Sequence, residues 1–206
     1  IQESFIPQTA PRSAYDRFHV AARSIPASSI GGDFYDFLEF DQDTLGIVIG
    51  DVAGKGIPAA LYMARLVSDF RFQAQIFDEP HHVLATVNNL LVERGRRGMF
   101  VTLAYLVLNA KTGELMISNA GHLPLIRVND VTKRSELLTG PAGVPLGIMP
   151  EVGFSTDVVQ LDPGDRLVAF TDGIVEAKNP KGDQFRLERL HQTIESSHED
   201  PQTILE

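Results

Sequence analysis

The residues of this sequence best suited to chemistry are three aspartates, Asp33, Asp51 and Asp172, each beside glycine and each next to a strand-like run. Gly31-Gly32-Asp33 leads into the aromatic stretch Phe34-Tyr35-Asp36-Phe37, the apolar run Leu45 to Ile49 ends at Gly50-Asp51, and Arg166 to Thr171 ends at Asp172-Gly173. Runs of that length read as strands, which puts the carboxylates at strand ends. Taken singly, each aspartate has an ordinary reading as a turn residue or a helix cap. Taken together they raise a second one, convergence on a shared site. Two unit charges about 4 Å apart repel by about 1 kcal/mol in water and about 4 kcal/mol at an effective dielectric near 20, so a cation must relieve them. Ligands that are all oxygen select a hard ion, magnesium or manganese, whereas zinc would want histidine or cysteine.

The elements that must position these residues are read outward from Asp51. After it, Val52-Ala53-Gly54-Lys55-Gly56 is too glycine-rich for helix or strand, and Ile57-Pro58-Ala59-Ala60-Leu61 starts a helix with proline in its first turn. The loop is not a phosphate-binding P-loop. Ile49 stands where that motif needs its first glycine, and Gly56 follows the lysine in place of serine or threonine. Residues 57–77 are apolar most of the way round, and 80–92 form an amphipathic helix with Val83, Leu84, Val87, Leu90 and Leu91 as its stripe. A β-hairpin is expected from Phe100 to Leu108 and Glu114 to Asn119, turning through Asn109-Ala110-Lys111-Thr112-Gly113. Further strands are expected at Phe18 to Ser24, Leu123 to Val128, Phe154 to Leu161 and Arg166 to Thr171. Residues 140–147 read as a loop and Leu187 to Ser196 as a helix.

Composition bounds the function. The chain has 206 residues, 43% hydrophobic and 22% charged, which suits one large domain with a sizeable core. Its net charge of -9 argues against an electrostatic grip on nucleic acid or on an anionic membrane, and no run approaches the ~18 apolar residues of a membrane span. With no cysteine there is no disulfide framework, thiolate metal site or thiol nucleophile. The first residues lack a secretory leader, so the expected compartment is the cytoplasm. Pro7 and Pro11 with few periodic apolar positions make 1–16 a linker segment from an upstream domain, and 17–206 the folded domain.

GGDFYDF at 31–37, GDVAGKGIPAAL at 50–61, FVTLAYLVLNAKTGELMISNAGHLP at 100–124 and LDPGDRLVAFTDGIVEAKN at 161–179, with Phe185 nearby, resemble the bacterial stage II sporulation protein E and sigma-B regulator phosphatases of the metal-dependent protein phosphatase (PP2C-like) family. The resemblance runs in order through about residues 1–200. It implies an α+β fold, a four-layer α-β-β-α sandwich with two antiparallel sheets and a binuclear metal site at one edge. The implied activity is hydrolysis of phosphoserine or phosphothreonine, on a phosphorylated STAS-type anti-sigma-factor antagonist, by in-line attack of a water held on two Mg2+ or Mn2+ ions. By the same resemblance Asp51 bridges both metals, the Val52 carbonyl binds one of them, Asp172 ligates the other, and Asp33 is a ligand directly or through water. Lys55 with Gly54 is implied to meet substrate phosphate, a solvated loop lysine being the alternative. An upstream sensory or receiver domain is implied as a partner, and a homodimer is left open.

The departures are specific. The family has a further acidic pair near its C-terminus, whereas this chain stops at Glu206 with only Glu199-Asp200 nearby, so the expected domain lacks its C-terminal end. Ala53 stands where eukaryotic relatives place a histidine, a candidate general acid. His122 stands where they carry an aspartate for a third metal, and a packing or turn role is equally open to it. Gly31-Gly32-Asp33-Phe34 is also similar to the GGDEF signature of diguanylate cyclases, but Phe34 replaces its glutamate and the later motifs have no place in a cyclase. The remaining alternative is a catalytically impaired binding or scaffold module of the same fold.

Overall fold

The structure, a computed structural model, describes the chain except residues 1–5, 8, 12, 14, 15, 27–30, 55, 95–97, 142, 198, 199 and 206. Strands β1 (Asp33–Glu39), β2 (Thr44–Val52), β3 (Val101–Asn109), β4 (Glu114–Ala120) and β7 (Asp157–Gln160) form a five-stranded antiparallel sheet in the order β1-β2-β3-β4-β7. Strands β5 (Leu125–Val128), β6 (Ser135–Leu138) and β8 (Arg166–Val168) form a second antiparallel sheet, β6-β5-β8. Helices α1 (Ile57–Ala74) and α2 (Pro80–Arg94) cover the first sheet, and α4 (Arg186–Ser196) covers the second; α3 (Asp172–Val175) and α5 (Pro201–Ile204) are single turns.

Three hydrophobic clusters fill the three gaps between these four layers, and β3 shows how one strand serves two of them. Its Val101, Leu103, Tyr105 and Val107 pack toward α1 and α2, while Ala104 and Leu106 pack toward the second sheet with Leu115, Ile117 and Leu125. That is the period-2 alternation of a strand buried on both faces. Helix α1 answers with Ala59, Met63, Leu66 and Phe70, all buried at one-turn and two-turn spacing. Phe70 meets Tyr105 edge to face, ring centroids 4.8 Å apart. On the far side, Ile126, Val128 and Phe170 pack with Leu190 and Ile194 of α4. The α+β sandwich with two antiparallel sheets is thus the observed architecture.

Several boundaries differ from expectation. Residues 18–24 run without secondary structure rather than as a strand, because no neighbouring strand offers them a ladder. Side chains hold this stretch instead: the Tyr35 hydroxyl lies 3.4 Å from the Ala22 carbonyl and 3.2 Å from that of Pro7, and Arg17 bonds Asp43 at 2.6 Å. The strand expected to reach Thr171 stops at Val168, since Thr171 becomes the N-cap of α3. The strand expected over 154–161 is confined to the four residues of β7, and α1 ends at Ala74 rather than at residue 77. Strand β6 was not anticipated. The hairpin forms as expected; Asn109 organises its turn, its side chain accepting from the Lys111 and Thr112 amides at 3.0 and 3.1 Å, with Gly113 at φ 77°.

Candidate functional site

Asp33 opens β1 and Asp51 lies one residue from the end of β2; the antiparallel register sets their Cα atoms directly opposite each other. Asp172 comes from the other sheet, as the first residue of α3 after β8. One carboxylate oxygen from each of the three lies within 4.8 Å of the others. Positions up to 139 apart in sequence, from Asp33 to Asp172, therefore meet where the two sheets end together. Asp33 and Asp51 are half-buried and Asp172 is exposed, so the cluster opens to solvent on one side.

The electrostatics of this cluster are unfavourable as it stands. Burial first, then the charges of Asp33 and Asp172, push the Asp51 carboxyl up from 3.8 to about 6. Burial likewise raises Asp33, partly offset by a hydrogen bond from the Thr171 side chain, with the Asp172 charge raising it further. Asp33 and Asp51, whose affinity for protons is raised, have together with the neighbouring Asp172 carboxylate the same appetite for a divalent cation. An all-oxygen donor set fits a hard one.

Gly32 shows how closely the backbone has been drawn in. A Cβ there would lie 2.5 Å from the Val52 carbonyl oxygen and against the Asp51 carboxylate, a cradle that any other side chain would fill. Main-chain bonds keep the walls in place: the Val52 amide donates to the Gly32 carbonyl at 3.2 Å and the Ala53 amide to the Phe100 carbonyl at 2.9 Å. Gly54 and Gly56 then turn the chain at φ 116° and 74°, and α1 begins. Lys55, expected near substrate phosphate, lies outside the described residues.

His122 sits behind the cluster. Asn119 grips its main chain from both sides, accepting from the His122 amide at 2.7 Å and donating to its carbonyl at 3.1 Å. Its Nδ1 lies 3.1 Å from the Oγ1 of Thr102, the residue opposite Asp51 on β3. Burial pushes the imidazole down to about 4, with the Phe170 main chain and the Asp172 charge pulling the other way, so the ring is neutral at pH 7. Nε2 is buried with no well-aligned hydrogen bond among the described residues. Asp200, the described member of the C-terminal acidic pair, lies outside the cluster and caps α5, accepting from the Gln202 and Thr203 amides at 3.0 and 3.2 Å. Sequence reasoning missed Thr102, Asn119 and Thr171. Only Thr171 carried a local signal, a threonine before Asp-Gly at a helix start.

Comparison with known proteins gives these features a family. Protein IcfG of Synechocystis sp. is 30% identical over 234 aligned positions, taking in 100% of this chain and 36% of that protein. Phosphoserine phosphatase RsbU of Bacillus subtilis is 28% identical over 182, covering 88% of this chain and 53% of its own length. The chain thus spans about a third to a half of these relatives. The solved PP2C phosphatase domain of SpoIIE from Bacillus subtilis, with a fragment of its regulatory domain, superposes with a TM-score of 0.72 at 18% identity, over 87% of this chain and 52% of that one. Residues 41–206 match the model of the Stage II sporulation protein E (SpoIIE) family, and with most of its length so matched the chain belongs to that family.

Proposed function

We propose that this chain is a metal-dependent protein serine/threonine phosphatase that hydrolyses phosphoserine and phosphothreonine, its physiological substrate a phosphorylated STAS-type anti-sigma-factor antagonist. The observation that carries the reading is the convergence of Asp33, Asp51 and Asp172 within 4.8 Å in a chain of the SpoIIE family. The activity in the name of RsbU, a 28% identical relative, supports it. Two Mg2+ or Mn2+ ions, when bound, would supply a nucleophilic oxygen near neutral pH and neutralise charge on the phosphoryl group.

The chain's own residues divide the remaining work. Asp51 is assigned the shared ligand position, with the Val52 carbonyl as a neutral donor and Asp172 and Asp33 completing the set. The Thr171 hydroxyl orients Asp33, the kind of supporting bond that tunes ligand basicity. Gly32 leaves the space the cluster occupies. Gly54, with nothing within 4 Å of where a side chain would start, leaves room in front of the loop for a phosphoryl group, and Lys55 is assigned to meet it. Residues 1–16 act as the linker to an upstream sensory or receiver domain and residues 17–206 as the phosphatase domain, with the cytoplasm as the compartment and a homodimer left open as the assembly. Among the described residues no helix is long and apolar enough to cross a membrane.

Phosphate release from a phosphoserine peptide tests the activity, with Mn2+, with Mg2+ and with excess chelator. Release that depends on metal is expected; no release with either ion overturns the reading in favour of a scaffold. A phosphorylated STAS-domain protein in the same assay should be a far better substrate than the peptide, and equal turnover would remove the STAS assignment alone.

A further inference from the structure

Just before β5, the chain forms an open cavity of about 400 Å3 against α3 and the start of α4. Leu123, Phe170, Val175 and Leu187 form its apolar wall, continuous with the cluster under α4. Phe170 is buried and the other three are partly buried. An apolar concavity of this size, with charged groups at its edge, has room for a single side chain. The edge carries two carboxylates, Glu176 and Glu188, and one guanidinium, Arg186.

The cavity and the acidic cluster are joined by one short stretch of chain, because Phe170 in the cavity wall is two residues before Asp172 and Val175 three after it. At about 3.3–3.6 Å of chain per residue, the Phe170 and Asp172 Cα atoms lie within roughly 7 Å of each other. An extended peptide whose phosphorylated residue meets the cluster would bring the side chain two or three positions away over the cavity. The mouth is also preformed. Arg186 holds φ 65°, a left-handed conformation that non-glycine residues keep only where surroundings impose it, as at ligand sites. Here the hairpin before it imposes it: the Phe185 amide bonds the Ala177 carbonyl at 2.7 Å, and Lys178 pairs with Gln184.

We propose that this cavity is a specificity pocket for the substrate polypeptide, taking a leucine-sized or methionine-sized apolar side chain two or three residues from the phosphoserine. Glu176 and Glu188 outnumber Arg186 at the edge, so the net negative charge there disfavours an acidic residue at the same position and selection works by exclusion as well as by fit. The inference rests on the phosphatase reading and adds to it a recognition element outside the acidic cluster.

The test uses phosphoserine peptides in an alanine background, with leucine or aspartate placed in turn at each of the three positions on either side of the phosphoserine. Their kcat/KM is measured with Mn2+ beside that of p-nitrophenyl phosphate, which is too small to reach the cavity. At one position two or three residues away, leucine should exceed aspartate by about tenfold or more, the scale on which an apolar pocket discriminates, and the difference should lie mainly in KM. Gln184→Trp, an exposed hairpin position whose new ring covers the mouth, should abolish the leucine preference and leave p-nitrophenyl phosphate within twofold. Glu188→Lys should raise turnover of the aspartate peptide. Leucine preference unchanged in both variants, or absent at every position in the parent, overturns the pocket while p-nitrophenyl phosphate turnover keeps the phosphatase reading. A parent that hydrolyses neither kind of substrate overturns both.

Discussion

Gly32→Ala adds one methyl group where the structure leaves none to spare. The new Cβ would stand 2.5 Å from the Val52 carbonyl oxygen and still closer to the Asp51 carboxylate, where real Cβ contacts stay beyond 3.0 Å. Two effects oppose each other. Replacing glycine restricts the unfolded chain and by itself stabilises by about 0.4–1 kcal/mol. Overpacking costs about 1–3 kcal/mol, and the clash here is not only with the tip of the Asp51 side chain but also with main chain held by the Val52 amide to Gly32 carbonyl bond. The clash wins, leaving a net loss of about 1–2 kcal/mol, or roughly 2–8 °C in melting temperature for a domain of this size. Relief moves either the Asp51 carboxylate or the Val52 carbonyl, so Mn2+ affinity should fall on the order of 10 to 100-fold, as when a ligand loses its support. Metal-free melting and calorimetric Mn2+ titration measure the two effects separately. An alanine variant as stable as the parent with unchanged Mn2+ affinity would refute the close approach on which the site description rests.

The metal-free chain should lose stability as pH rises from about 4 to about 6. The Asp51 carboxyl titrates near 6 in the folded chain against 3.8 ordinarily, so the folded state holds the extra proton in that window and its advantage is gone above it. Melting temperature followed across that range should fall, more shallowly in Asp51→Asn, and saturating Mn2+ should reverse the slope. Arg71→Ala should cost about 3 kcal/mol in urea unfolding, because Asp36 is 1% exposed and its carboxylate is held by Arg71 through bonds of 2.5 and 2.8 Å. Asp36→Asn in the same background should recover part of that loss. Asn119→Ala removes two buried side-chain bonds to the His122 main chain and should cost about 1–3 kcal/mol; a loss under 0.5 kcal/mol would mean the turn holds itself.

The sequence made the acidic cluster legible because each aspartate follows or opens a strand beside glycine, a signal local to a few residues. Helices α1 and α2 and the β3–β4 hairpin were legible for the same reason, since their burial pattern repeats within the element. What stayed hidden depends on partners distant in the chain. Residues 18–24 have strand-like composition but no neighbour to bond. Ser135–Leu138 becomes β6 only because β5 offers it an edge, and its Glu136 and Leu137 face solvent. Asn119, Thr102 and His122 make sense together only once β3 and β4 pair, and the cavity between α3 and α4 draws its wall from segments more than 60 positions apart, Leu123 to Leu187. The end of β8 shows a third case: a sequence run read as strand through Thr171, where the threonine's capping position ended it.

Asp51→Asn keeps the shape of the side chain and removes the charge that would let it serve two cations. Hydrolysis of a phosphoserine peptide with saturating Mn2+ is measured on parent and variant, with metal-free melting as the control for folding. Turnover should fall by more than about 100-fold, beyond the 10 to 100-fold typical of changes around a metal ligand. The metal-free melting temperature should equal or exceed the parent's, since one of three mutually repelling carboxylates is gone. Turnover within a few-fold of the parent would contradict the assignment of Asp51 as the shared ligand, and with it the reading of this cluster as the reaction centre.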